Sequence, residues 1–283
     1  MTRLTIFIAL LLCVLAISNK SYGHDKSAVL EGPYLGQKPP GLTAKVFAPG
    51  VVSAAHRDAA AVFTPDMKEL YFTRRNNKTK KWSVITFKSE ENQWRESVVG
   101  PREGGHFISP DGKTMHLGKK YKERTNTGWS EIKSLGSPFE EIWIMRLTVS
   151  SKGTYVFDEM DRKGNGTLRY SRLIDGKRED PKPLSKEINT GTWNAHPFIA
   201  ADESYIMWDG ERQSGFGDND IYISFKQQDG SWGTAINLGD KINTGVQENG
   251  AYVTPDGKYL FFNRSDEIFW IDAKIIETLR AKQ

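Results

Sequence analysis

One short phrase occurs five times along the chain, and it constrains the fold more than any other feature. The clearest copies are residues 63–72 (FTPDMKELYF), 108–117 (ISPDGKTMHL) and 253–262 (VTPDGKYLFF). Residues 199–208 and the degraded copy 149–158 complete the set, so successive copies start 45, 41, 50 and 54 residues apart. A period of this length predicts a repeat architecture.

Each copy predicts a strand, a turn and a second strand. In residues 110–112, Pro fixes φ, Asp caps the turn and Gly accepts a positive φ. Aromatic and β-branched residues, which favour strands, follow each turn. Further strand-like segments stand at equivalent places: residues 82–87, 168–172, 220–224 and 267–271. Four short strands per repeat are typical of a propeller blade, so we predict an all-β, five-bladed β-propeller with four-stranded antiparallel blades.

The two ends of the chain predict how the ring closes. The last repeat is one strand short, whereas a lone strand-like piece, residues 44–47, precedes the first copy. We expect this N-terminal strand to complete the last blade, which leaves few exposed edges. Residues 273–282 predict a short C-terminal helix with Ile275, Ile276 and Leu279 on one side. Residues 24–55 are too few for a sixth blade.

The Ser/Thr-Pro-Asp-Gly-Lys phrase resembles the WD-like propeller repeat of the TolB family. The resemblance covers about five-sixths of the chain. It implies a propeller fold and no single function, because similar repeats occur in binding proteins, peptidases and polysaccharide lyases.

The first residues predict export. Arg3 precedes an apolar run over residues 4–18, and Ser21 and Gly23 are small residues at the −3 and −1 positions of a cleavage site. We interpret residues 1–23 as a signal peptide, 24–41 as an extended leader and 42–283 as the propeller domain. The run is too short to span a bilayer comfortably, and an uncleaved anchor is the alternative. We expect a periplasmic or secreted protein without a transmembrane segment after cleavage.

The composition excludes several functions. The formal net charge is only +4, and cleavage removes Arg3 and Lys20, so we expect no nucleic-acid partner. The only cysteine, Cys13, lies in the predicted signal peptide, which leaves the mature chain without disulfides or thiol chemistry. No Gly-x-Ser-x-Gly motif points to a serine hydrolase, and the catalytic residues, if any, are unknown.

Polar residues recur at odd distances before the turns. Side chains an even number of residues apart share one side of an extended strand, so we predict a polar ring at the channel mouth. Its members are His56, Asp58, Glu103, Arg146, Asn194, His196 and Glu248, with His106 and Trp193 as close neighbours. These nine residues are the ligand-binding candidates. The structural alternative is that they hydrogen-bond between blades in a water-filled channel.

The ring permits three chemistries. The carboxylates of Asp58, Glu103 and Glu248 suit acid–base cleavage of a glycosidic bond. Histidines with a carboxylate would bind Zn²⁺ or Mn²⁺, but no closely spaced ligand motif supports this, so a divalent metal is only a hypothetical cofactor. His196 as base and Arg146 as cation suit a polysaccharide lyase.

Two tryptophans also bear on the predicted partner. Trp143 and Trp193 near the ring are candidates for stacking on sugars, and the alternative is packing between blades, where most propeller tryptophans lie. We therefore predict a binding module for a glycan or an envelope protein. The alternative is a carbohydrate-active enzyme, either a polysaccharide lyase or a glycoside hydrolase.

Overall fold

A computed structural model describes residues 30–54 and 56–281. The predicted signal peptide and the first part of the predicted leader lie outside the described residues. The described chain contains twenty-three short strands and one α-helix, α1 (Lys274–Arg280). No helix in this part of the protein has the length and hydrophobicity needed to cross a membrane.

Five antiparallel sheets, each with a path of four hydrogen-bonded strands, form the blades. Blade 1 contains β2 (Arg57–Phe63), β3 (Glu69–Arg75), β4 (Trp82–Glu90) and β5 (Gln93–Pro101). Blade 2 contains β6 (His106–Ile108), β7 (Thr114–Leu117), β8 (Lys120–Thr125) and β10 (Lys133–Ser134), with β9 (Gly128–Trp129) also paired to β8. Blade 3 contains β11 (Leu147–Val149), β12 (Tyr155–Met160), β13 (Gly166–Ser171) and β16 (Lys182–Pro183), with a separate hairpin of β14 (Leu173–Ile174) and β15 (Lys177–Arg178).

The last two blades follow the same plan. Blade 4 contains β17 (Thr192–Ile199), β18 (Tyr205–Glu211), β19 (Asp220–Phe225) and β20 (Ile236–Asn237). Blade 5 contains β21 (Glu248–Val253), β22 (Tyr259–Arg264), β23 (Glu267–Asp272) and β1 (Lys45–Val46). The inner strands are β2, β6, β11, β17 and β21, and each contacts the inner strand of the next blade until β21 meets β2. The predicted five-bladed propeller is therefore confirmed.

The ring closes through the N-terminal strand. In β1, Lys45 pairs with Trp270 of β23 and Val46 pairs with Phe269, so the outer strand of blade 5 comes from the start of the domain. This confirms the predicted closure. The predicted C-terminal helix also forms, and Ile275 and Ile276 are its buried residues.

Part of the predicted leader is built into the core rather than uniformly extended. A short turn, Pro33–Gly36, has a left-handed backbone at Tyr34 and Leu35, both of which are buried. The Tyr34 ring contacts those of Phe63, Tyr259 and Trp270 at centroid distances of 4.7–5.8 Å. The leader therefore packs against blades 1 and 5, the blades that meet at the closure.

The five repeat turns gather at one end of the inner strands, which we call the turn face. They are represented by Pro65, Pro110, Ser151, Ala201 and Pro255 around one cavity. Their chemistry is as predicted: the Ser109 hydroxyl donates to Asp111 at 2.6 Å, and Gly112 takes a φ of 72°. The opposite end, where the inner strands begin, is called the mouth face.

Candidate functional site

Three aromatic side chains close the channel partway along the inner strands. Phe107, Phe198 and Tyr252 each stand three residues before the turn, in blades 2, 4 and 5. Their ring centroids are 5.8–6.4 Å apart in edge-to-face contacts, and all three residues are buried. The Tyr252 hydroxyl donates to the carbonyl of Phe63 and accepts its N–H, both at 3.2 Å. This aromatic plug divides the channel into two halves.

A cavity of about 590 Å³ lies on the turn-face side of the plug, with the five turns around it. Glu277 and Arg280 of α1 also line it, and they form an ion pair at 3.7 Å. The residues predicted from the sequence belong to the other end of the channel, and this cavity was not predicted.

Four titratable side chains lie on the mouth-face side of the plug: Arg146, Asp158, His196 and Asp209. The two carboxylates are fully buried and Arg146 is nearly so. His196 Nδ1 lies 3.0 Å from Oδ2 of Asp209 and 3.1 Å from Oδ1. Arg146 donates from its guanidinium to the carbonyl of Ala251 at 3.0 Å. We call these four residues the channel cluster.

Backbone bulges create the channel cluster. In three inner strands, the residue five before the turn has a positive φ: Ala60 (59°), His196 (45°) and Gly250 (67°). Each lies at a shift in strand register, and its N–H turns toward a side chain on the second strand of the preceding blade. The acceptors are Asn263, Asp158 and Asp209, respectively, at 2.8–3.0 Å. Asp158 additionally accepts the N–H groups of Met145 and Arg146.

Asp158 and Asp209 were missed by the sequence analysis, which considered only the inner strands. A signal was nevertheless present. Asp209 and Asn263 come directly after the aromatic end of their copies, and Asp158 ends the shortened copy in blade 3. A carboxylate or amide recurring at this place suits an acceptor for the N–H of a neighbouring blade.

Burial and charge set the protonation of the channel cluster. Burial disfavours the charged form of His196, but the carboxylates of Asp209 and Asp158 outweigh it and raise the pKa of the imidazole. Burial raises the pKa of Asp158 despite the nearby His196 and the three N–H donors. Burial lowers the pKa of Arg146 to about 10, although both carboxylates favour its charged form.

His196 is the residue of the channel cluster that a ligand can reach. Its side chain is 24% exposed, and among the described residues Nε2 has no hydrogen-bond partner. His196 precedes Phe198 of the aromatic plug by two residues in β17, so it lies on the mouth-face side of the plug. Asp209 fixes the ring through Nδ1, so Nε2 is left to donate to, or accept from, a bound molecule.

The structure corrects the predicted common side of the ring. Asp58 pairs in register with Arg74 of β3, and Glu248 pairs with Arg264 of β22. Val62 and Tyr252 stand three residues before their turns, on the far side of the bulge from Asp58 and Glu248. Because each bulge inserts one extra residue, it reverses the alternation of side chains, and Asp58 and Glu248 lie on the opposite face of the strand from Val62 and Tyr252. They therefore do not form one ring with His196.

The carboxylates of Asp58 and Glu248 are fully buried, and each forms an ion pair with an arginine of the same blade. Nε of Arg74 and Nε of Arg264 each lie 2.8 Å from their partner. Glu248 also accepts the hydroxyl and N–H of Thr244, at 2.6 and 2.9 Å. Burial raises the pKa of Asp58, against the opposing effect of Arg74. Neither carboxylate is placed to act on a ligand.

Three other candidates form no hydrogen bond with the channel cluster in the described chain. His56 and Glu103 are exposed, and Glu103 forms a 3.3 Å ion pair with Lys120. His106 is buried with neither ring nitrogen hydrogen-bonded within the described chain. Burial, with a smaller effect of Arg102 and Arg146, lowers the pKa of His106 to about 4, so the ring is neutral at physiological pH.

Trp193 and Asn194 pack against the tip of the second hairpin in blade 3. The Asn194 amide donates to the carbonyl of Gly166 at 3.3 Å. The Trp193 ring packs closely on Gly164, since a Cβ built on this glycine would lie 3.6 Å from the ring. The indole therefore covers this turn. Trp143, by contrast, is 58% exposed. Within the described residues, no group of three or more His, Cys, Asp or Glu side chains is arranged to hold a metal ion.

No family model and no curated protein sequence matches this chain, but solved structures do. TolB from Acinetobacter baumannii is 17% identical with a TM-score of 0.46, and the match covers 78% of this chain and 55% of TolB. The chain thus spans about half the length of that protein. A gluconolactonase from Xanthomonas campestris is 8% identical with a TM-score of 0.49, covering 76% of this chain and 86% of the enzyme.

A puromycin hydrolase is 15% identical with a TM-score of 0.40, and the match covers 83% of this chain and 39% of that enzyme. These proteins have different functions on similar folds, and a shared fold does not assign an activity. The propeller assignment rests on the strand order and ring closure described above.

Proposed function

We propose that this chain is an exported propeller with a TolB-like repeat that binds a glycan of the cell envelope at the mouth-face end of its channel. The observation that carries the proposal is the position of His196. His196 lies on the mouth-face side of the plug and its Nε2 has no hydrogen-bond partner in the described chain, while Asp209 holds Nδ1 at 3.0 Å. A donor held in one orientation loses little conformational freedom when a ligand binds.

The surroundings of His196 suit binding. Arg146, Asp158 and Asp209 are already hydrogen-bonded within the described chain, so the groups that surround His196 need not rearrange when a ligand binds. Glycan hydroxyl and carboxylate oxygens accept hydrogen bonds from an imidazolium. Trp143, exposed near the start of β11, offers an indole for a sugar ring.

Calorimetric titration with a panel of neutral and acidic polysaccharides tests the proposal. We expect at least one polysaccharide to bind and His196→Gln to weaken it about tenfold. His56→Gln is the matched control, because His56 is exposed and outside the channel cluster. Affinity should also fall as the pH rises through the pKa of His196, but not in His196→Gln. Absence of binding across the panel, or equal effects of the two variants, would contradict the proposal.

One observation supports a second candidate, a polysaccharide lyase. A histidine oriented by a carboxylate is a general-base arrangement, and the charge of Arg146 acts on His196. Neutral Nε2 would take the proton from the carbon next to a uronate carboxyl group. A carbon–carbon double bond would then form as the bond to the leaving sugar oxygen breaks, and that oxygen would take up a proton.

Product masses distinguish the lyase from a glycoside hydrolase, because elimination products lack the water that hydrolysis adds. A hydrolase is less well supported, since Asp58 and Glu248 are bound to arginines. Unsaturated oligosaccharides that disappear in His196→Gln and persist in His56→Gln would establish the lyase. Unchanged polysaccharide would leave binding as the function.

A further inference from the structure

A row of basic residues crosses the mouth-face end of blade 1. Arg57 of β2 pairs in register with Arg75 of β3, which pairs with Trp82 of β4. Arg102, which follows β5, donates its N–H to the carbonyl of Trp82 at 3.1 Å. We call Arg57, Arg75, Trp82 and Arg102 the arginine row. It begins on an inner strand, so it adjoins the channel mouth.

Two side chains of the arginine row, Arg57 and Arg102, contact the indole of Trp82. The guanidinium carbons of Arg57 and Arg102 lie 5.8 and 5.4 Å from its ring centroid, within the range of cation–π attraction. Arg75 donates from Nε to the carbonyl of Lys80 at 3.2 Å. The indole therefore holds two guanidinium groups in place.

The positive charges of the arginine row are poorly compensated. Arg57 lies 2.6 Å from Asp266, and within the described chain no other carboxylate forms an ion pair with these three arginines. Lys78, Lys80 and Lys81, at the tip of the adjoining hairpin, are exposed and likewise form no ion pair there. Partial burial, together with the charge of Arg57, lowers the pKa of Arg102.

Like charges directly opposite one another on neighbouring strands destabilise a sheet. An arrangement of this kind is relieved when an anion lies between the cations. Guanidinium groups bind carboxylate or sulfate in a two-pronged geometry. Neighbouring strands are about 4.8 Å apart, so the arginine row offers successive cationic positions along one line rather than a single charge.

We propose that the arginine row binds the acidic groups of a linear glycan, carboxylate or sulfate, whose chain runs from the channel mouth across blade 1. This inference rests on the proposed function, because it takes a glycan as the ligand, and it adds the requirement that the glycan be acidic. A glycan fits better than a nucleic acid because the chain as a whole is nearly neutral, whereas nucleic-acid binding needs a broad basic surface.

Binding of polygalacturonate and of its fully methyl-esterified form tests the inference, since esterification removes the charge of each carboxylate and adds only a methyl group. We expect Arg102→Gln and Arg57→Gln each to weaken binding of the acidic polymer about tenfold. Neither variant should change the affinity for the ester. In both variants, the affinity for the acidic polymer should depend less steeply on salt concentration than in the wild type. Arg95→Gln is the matched control, because Arg95 lies on β5 near its hairpin with β4, away from the mouth, and is paired to Glu90 at 3.9 Å.

The outcomes separate this inference from the proposed function. If Arg102→Gln weakens acidic binding and His196→Gln does not, the arginine row is supported and the role of His196 is rejected. If His196→Gln weakens both polymers and Arg102→Gln neither, the arginine row is rejected. Equal affinity for ester and acid, equal loss in Arg95→Gln, or equally tight binding of a DNA oligonucleotide would each overturn it.

Discussion

The carboxylate of Asp209 joins two blades through His196 and Gly250. It lies 3.0 Å from Nδ1 of His196, in its own blade, and accepts the N–H of Gly250, in the next blade, at 3.0 Å. The same carboxylate thus orients the candidate ligand donor and holds the inner strand beside it. Function and blade packing are coupled at this residue, so charge changes at His196 affect stability as well as binding.

Stability should therefore depend on the protonation of His196. Because the pKa of folded His196 is raised, its contribution to the free energy of unfolding is fully present below the unfolded pKa of about 6.5. It is lost as the pH rises through the higher pKa of the folded protein. Urea denaturation between pH 6 and pH 9 should show this decline in the wild type and a flatter profile in His196→Gln.

An NMR titration of the histidine ring protons provides a direct reading of the same effect. His196 should titrate above, and His106 far below, the ordinary histidine pKa. Asp209→Asn should lower the pKa of His196, because it removes the nearest negative charge. A pKa for His196 unchanged by Asp209→Asn would show that the carboxylate does not control the ring.

Glu248 should prove structural. Removing one member of a buried ion pair leaves the other charge uncompensated, which typically costs about 3–5 kcal/mol of unfolding free energy. We expect Glu248→Gln to cost about 3 kcal/mol, because the Arg264 side chain is 20% exposed and water can partly solvate its charge. Glu103→Gln, at an exposed ion pair, should cost less than about 1 kcal/mol. Denaturation measurements check both. Loss of glycan binding by folded Glu248→Gln would restore it as a ligand residue.

The blades were predictable because their signals are local. Turn chemistry and strand-forming residues recur within each copy, and the unpaired segment at residues 44–47 matched the missing outer strand. The ring of candidates was less predictable because the bulges are only partly encoded. Glycine is the usual signal of a positive φ, yet only Gly250 carries it, whereas Ala60 and His196 adopt the same conformation without one.

The ion pairs depend on residues far apart in sequence. Asp58 and Arg74, like Glu248 and Arg264, are sixteen residues apart, on different strands of one hairpin. The recurrence of this acid–arginine spacing in the first and last blades could have revealed it. The arginine row, by contrast, requires the strand register to bring Arg57, Arg75 and Trp82 together, and spacing alone does not supply that register.

The aromatic plug should contribute strongly to stability. Phe198 contacts Phe107 and Tyr252 in a closely packed interior, and truncation would leave a cavity. Phe198→Ala should therefore cost about 3–5 kcal/mol, measured by urea denaturation. Phe216→Ala is the control, because Phe216 is 50% exposed, and it should be nearly neutral. Similar costs for the two variants would show that the rings do not form a packed plug.

The leader should stabilise the closure through Tyr34. Its hydroxyl donates to Asp256 at 2.7 Å. Burial alone would raise the pKa of Asp256, but the hydrogen bonds from Tyr34, Thr254 and Lys258 outweigh burial and lower it. That contribution is present above the unfolded pKa of about 3.9 and is lost as the pH falls through the lower folded pKa. Tyr34→Phe should cost about 1 kcal/mol at pH 7 and less near pH 3.

Tyr34→Ala also removes the ring packed among Phe63, Tyr259 and Trp270, so it should cost about 3–5 kcal/mol at both pH values. The difference between the two variants therefore separates the charged hydrogen bond from aromatic packing. Because Tyr34 packs on the blades that β1 closes, hydrogen exchange of Val46 should accelerate in Tyr34→Ala. Unchanged exchange there, with lowered global stability, would place the leader outside the closure.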